Sequence, residues 1–127
     1  MDKSSHYIRM CESIEEIQEQ WQPEFGDFYV SMSLGLTSPC QPIMSDLEKK
    51  LSYLKTIKAV WLPRQDQLQE MVIENYATFW DLAIAFSNVL MGENASYFEK
   101  FDSMEKLWLA FIVLEKYKRK WKDGEWL

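Results

Sequence analysis

Carboxylates are the one abundant kind of catalytic side chain here, and Glu12, Glu15, Glu16 and Glu19 crowd a single short stretch. Paired carboxylates can trade protons as general acid and base, or hold a divalent cation, when a cleft brings them together. On one helix the same four make a solvated acidic face, which is the expected reading. Glu12 and Glu16 then stand four apart and repel by roughly a few tenths of a kcal/mol. Such a face could also meet a basic partner surface.

The other reactive types are few. His6 is the only histidine, and it falls in residues 1–9, a stretch expected to be disordered. A three-ligand zinc site would need an unusual all-carboxylate or cysteine-based set. A Ser-His or Cys-His nucleophile pair would have to recruit that tail histidine. Cys11 and Cys40 are the only cysteines and form no Cys-x-x-Cys pair. They are expected as free thiols in a reducing cytoplasm. None of the four glycines stands in Gly-x-Gly spacing, so no phosphate loop is expected. These residues predict no enzyme, no cofactor and no metal.

Residues suited to binding are better represented. Trp and Arg dominate protein-binding hot spots. Trp61, Arg64, Gln65, Asp66, Trp121 and Trp126 are therefore candidate partner contacts, although Trp61 could equally plug the core from a strand. Residues 116–122 carry Lys116, Lys118, Arg119, Lys120 and Lys122 with no acid, interleaved with Tyr117 and Trp121. Cations can meet phosphates while rings stack on bases, so these are candidate nucleic-acid contacts. The plainer alternative has Tyr117 and Trp121, four apart, continuing the buried face of a last helix. The cations would then sit on its wet side and complement the helix dipole.

The elements that must position these residues are read from periodicity. Met10, Ile14, Ile17 and Trp21 share one face of a helix over 10–21, which Pro23 and Gly26 end. Phe28, Val30 and Met32 alternate with Asp27, Tyr29 and Ser31, a strand pattern near 27–32. Residues 35–42 have loop composition. Ser45 to Glu48 has capping-box spacing, which predicts a helix over about 46–54. Residues 58–62 read as a second strand, stopped by Pro63 and paired antiparallel with the first. Pro63 suits the first turn of the helix that follows, with Leu68, Met71 and Val72 as its stripe. Phe79, Trp80, Ala83, Ile84, Phe86, Val89 and Leu90 form a broader stripe assigned to the core, ended by Gly92. Residues 96–99 suit a single turn. Asp102 is the expected N-cap of the last helix, with Glu105 reaching back. That helix is apolar nearly all round from 107 to 114 and is expected to be central.

The fold class so predicted is α+β and predominantly α. It is a bundle of about four helices with a small two-stranded antiparallel unit, in one globular domain over 1–127. A length of 127 residues suits one domain, and 47% hydrophobic residues exclude a disordered chain. The net charge of −6 argues against a general nucleic-acid binder, with the acid concentrated in residues 1–28. The longest apolar run, 107–114, is far short of the roughly 20 residues a bilayer span needs, and no apolar run follows Lys3 as in a secretory signal.

Two blocks carry a resemblance. One is Val60-Trp61-Leu62-Pro63-Arg64-Gln65-Asp66-Gln67-Leu68-Gln69-Glu70-Met71-Val72. The other is Ser103-Met104-Glu105-Lys106-Leu107-Trp108-Leu109-Ala110-Phe111, with Glu115-Lys116-Tyr117 and Trp121-Lys122-Asp123-Gly124-Glu125-Trp126 after it. Ile14-Glu15-Glu16-Ile17-Gln18-Glu19-Gln20-Trp21 with Gly26-Asp27-Phe28 agrees in order and spacing. Together they resemble a family of small proteins of phages and prophages of Firmicutes. The resemblance implies a bacterial cytoplasmic setting during phage or prophage expression, and no reaction or catalytic residue. The expectation is a small non-enzymatic protein that binds another protein, host or phage, with nucleic-acid binding through 116–122 as the alternative. Oligomeric state is open; a large exposed apolar patch would point to a dimer or an obligate partner.

Overall fold

The computed structural model describes residues 1–31, 41–44 and 46–127. Its centre is the helix α7 (Met104–Tyr117), in which Trp108 to Val113 are buried without a break. Six consecutive buried positions leave no wet side, so other elements must cover this helix all round. The fold is α+β and mostly helical, as the periodicity predicts.

The N-terminal residues are ordered, against expectation. The helix α1 (Ser5–Glu12) opens with the Ser4 hydroxyl accepting from the Tyr7 N–H, and Tyr7, Ile8, Met10 and Cys11 are all buried. The predicted 10–21 helix breaks at Ser13, and a single turn follows as α2 (Glu15–Gln18). The apolar face survives the break, since Met10, Ile14 and Ile17 are fully buried.

Among the described residues three strands form the sheet, in the order β2-β1-β3. They are β1 (Phe28–Ser31), β2 (Gln41–Pro42) and β3 (Ala59–Leu62). The predicted pair is antiparallel, with Phe28 opposite Leu62 and Val30 opposite Val60. The strand β2 stands where a loop is predicted; Met32 of the predicted first strand, residues 35–40 of that loop with Cys40, and Ser45 of the predicted capping box lie outside the described residues. Both faces of β1 are covered. Val30 enters the main core, while Tyr29 joins Ile43, Leu54 and Ile57 in a smaller cluster. The helix α3 (Leu47–Thr56), capped by Asp46 accepting from the Lys49 N–H, supplies Leu54. Gln18 covers the outer edge of β3, accepting from the Trp61 N–H and donating to the Trp61 carbonyl at 2.9 Å each.

The helix α4 (Gln65–Ile73) starts two residues after Pro63, with the Gln67 side chain accepting the Arg64 N–H. The helix α5 (Phe79–Leu90) is capped by the Thr78 hydroxyl on the Asp81 N–H, and the turn α6 (Ala95–Phe98) follows. Ser103, not Asp102, caps α7 by accepting from the Lys106 N–H; Asp102 pairs instead with the Lys106 ammonium. Glu105 does not reach back to a cap but accepts the Asp2 N–H at 3.0 Å. At its far end α7 stops at Lys118, whose φ of +57° is left-handed.

The chain then turns into a hairpin, β4 (Trp121–Lys122) and β5 (Glu125–Trp126), so Trp121 does not continue the helix. Asp123 and Gly124, both at positive φ, make the two-residue turn. Asp-Gly between apolar residues is the strongest short-range hairpin signal, because both positions of a type I′ turn require positive φ.

Candidate partner-binding surface

The structure buries three of the six predicted contact residues, all of them Trp. Trp61 is buried with its indole parallel to that of Trp21, at a centroid distance of 6.1 Å. Trp121 and Trp126 are buried edge to face, and the Trp126 Nε1 donates to the Met10 carbonyl at 3.0 Å. These three indoles hold the core together and are not free to greet a partner. Arg64 is half-buried, donating to the Gly26 carbonyl and to the carboxylates of Asp27 and Asp66. Gln65 is half-buried beside it, and Asp66 alone of the six stands largely in water.

The basic end is also committed. Lys116 donates to the Met71 carbonyl at 3.0 Å, Arg119 pairs with Glu16, and Lys120 donates to the Asn94 side chain at 2.6 Å. Lys118 and Lys122 are exposed. The Tyr117 hydroxyl accepts from Gln20, and Trp121 offers no ring face. The acidic stretch does not form a cleft: Glu12, Glu15 and Glu19 are exposed, and Glu16 is held below the usual carboxylate range by its own backbone N–H and by Arg119.

His6 belongs to the hairpin contact and not to a tail. Its Nε2 accepts from the Trp121 Nε1 at 2.9 Å, so it is unprotonated there. Burial lowers its pKa below 6.5, and the charges of Lys106 and Arg9 lower it further against the opposing pull of Asp102 and Asp2. The unfolded chain therefore binds this proton more readily. The contribution to stability is complete above pH 6.5 and is lost as pH falls through the lower folded value. The melting temperature should drop between about pH 7 and pH 5, and His6→Gln should flatten that slope; an unchanged slope in the variant would assign it elsewhere.

The surface that stands open is one the periodicity assigns to the core. Leu82 and Phe86 fasten α5 to the body, with the Phe86 ring stacked on Trp108 at 3.9 Å and edge-on to Phe111 at 5.3 Å. The opposite side of the helix is apolar too. Trp80 is 74% exposed, Met91 just beyond the helix 73%, Phe79 57% and Ile84 43%, with Ala83 exposed between them. Asp81 is the only charged residue in the helix. These four large side chains present about 500 Å² of apolar surface, near the upper limit for the largest patch on a monomer.

A cleft of about 280 Å³ lies elsewhere, between Trp21, Trp61 and Met71, rimmed by Glu24 and Glu70. Among the described residues no group of three His, Cys, Asp or Glu is placed to hold a metal ion, and no helix is long and apolar enough to cross a membrane. No family model, curated protein or solved structure matches the chain.

Proposed function

We propose that this is a small non-enzymatic protein that works by binding another protein, and that the outer face of α5 is the docking surface. The observation that carries the reading is Trp80, an indole left three-quarters in water on a helix with apolar residues on both sides. Exposed large apolar side chains cost hydration free energy in the free protein, so a partner that covers them gains it back. The setting proposed is the bacterial cytoplasm during phage or prophage expression, as the resemblance implies. The basic end supports nucleic acid less well, because three of its five cations are engaged within the fold and Trp121 is buried.

The test is affinity capture from bacterial cells with the wild-type chain and with Trp80→Glu. Trp80 makes few contacts within the fold, so the variant should keep the wild-type circular dichroism spectrum. Loss of a hot-spot Trp should weaken binding by roughly 30-fold or more, and the specific partner should vanish from the variant's eluate. Equal recovery with both chains would refute the assignment to α5.

A further inference from the structure

We infer that the face of α5 pairs with the α5 of a second copy of this chain, antiparallel about a two-fold axis. The inference rests on the reading that this face binds protein, and it names the occupant. Three observations carry it.

The first is spacing. The outer row is Trp80, Ile84, Ser87 and Met91, at intervals of four, three and four. That series reads the same in both directions. An antiparallel copy therefore sets Trp80 against the second copy's Met91 and Ile84 against its Ser87, and the two-fold axis repeats each contact. An isologous interface needs this kind of self-match. At its middle the short Ser87 leaves room for Ile84, and at each end the Met91 thioether meets an indole, a favourable contact.

The second is charge. Between Phe79 and Leu90 the helix carries Asp81 and no other ionisable residue. A strongly charged partner would find nothing there to pair with, whereas a second α5 brings a matching, nearly uncharged row. In the antiparallel register the two Asp81 side chains fall nine residues apart along the axis, about 14 Å, beyond the screening length at physiological salt.

The third is area. About 500 Å² from each copy, with Phe79 beside the row included, makes at most about 1,000 Å² in all, at the lower bound for a specific interface. The pairing is thus a weak, concentration-dependent dimer, which the chain enters and leaves.

Sedimentation equilibrium between about 5 and 500 µM tests this. The average mass should rise from 15.2 kDa toward twice that value, and Trp80→Glu should hold it at 15.2 kDa throughout. A wild-type mass that stays monomeric at every concentration overturns the self-pairing; Trp80-dependent capture of a different protein would then still uphold the docking surface. Dimers that persist undiminished in Trp80→Glu also overturn it, since they would form through another face. A Trp80→Phe variant, which keeps the apolar contact, should dimerise within a few-fold of wild type, and a loss as complete as that of the Glu variant would count against the register.

Discussion

Deleting residues 1–9 should leave a chain with no cooperative thermal transition. A disordered tail could be removed freely, but here the stretch carries Tyr7 and Ile8 into the main core, fully and almost fully buried. The Tyr7 hydroxyl donates to the Pro63 carbonyl at 2.7 Å, at the joint between β3 and α4. Asp2 accepts from the Ser103 hydroxyl and lies 3.5 Å from the buried Lys106 ammonium at the start of α7. Burial alone would raise the Asp2 pKa, but hydrogen bonds from Ser103 and Ser4 and the charge of Lys106 hold it below 3.8, so the carboxylate is charged in place. Losing a buried Tyr and a buried Ile costs about 5 kcal/mol or more, against a total stability of roughly 5–15 kcal/mol for a domain. The deletion also leaves Lys106 with only the exposed Asp102. Differential scanning calorimetry should show a broad, featureless trace. A sharp transition within a few degrees of wild type would mean that α1 contributes little.

Asp27→Ala should destabilise the protein by about 3–5 kcal/mol, the cost typical of stripping one partner from a buried charged network. The Asp27 side chain is almost wholly buried and its two oxygens serve four donors. Oδ2 accepts from the Trp21 indole and the Glu24 N–H at 2.9 Å each. Oδ1 accepts from Gln67 at 2.6 Å and faces the Arg64 guanidinium at 3.5 Å. Truncation strips the Trp21 indole, the Glu24 N–H and the Gln67 amide of this acceptor, while Arg64 keeps the Gly26 carbonyl and Asp66; an unmade buried hydrogen bond costs far more than a made one contributes. Asp27→Asn keeps the shape but must turn an amide N–H₂ toward donors, so it should recover only part of the loss. Chemical denaturation read by Trp fluorescence would report both variants, since Trp21 is a direct partner. A cost below about 1 kcal/mol for the Ala variant would show that water replaces the carboxylate.

The network explains why Arg64 and Asp66 read as contact residues from sequence. Polar residues in a specific block signal that something is recognised, and here much of what they recognise is the chain itself. Arg64 and Gln67 fasten the start of α4 to the turn at Gly26 and Asp27. Period and spacing placed β1, β3 and α7 well, because each has one dominant pattern and a clear stop. The same signals misread α5. Its residues are apolar on both sides, so periodicity finds a helix but cannot say which side meets Trp108. Only the packing of Leu82 and Phe86 settles that, and it turns Trp80 outward. The exposed face of α5 is thus present in the sequence as an excess of apolar residues, the same signal that a core helix gives. The hairpin at 121–126 carries its own signal in Asp123-Gly124, while the four-residue interval from Tyr117 to Trp121 suits a helix equally well.

The clasp between the first helix and the terminal hairpin bears on when the fold can be completed. The bonds from Trp121 to His6 and from Trp126 to Met10 span 115 and 116 residues. Contacts across so long an interval close slowly, because the loop entropy is lost before they form. During synthesis α1 can pack on β3 first, through Tyr7 and the Pro63 carbonyl, but the hairpin's share of its cover is missing until residues 121–126 have left the ribosome. Fragments that end before residue 121 lack both bonds and leave the Met10 carbonyl without its indole partner, so they should be cut by proteases faster than the full chain.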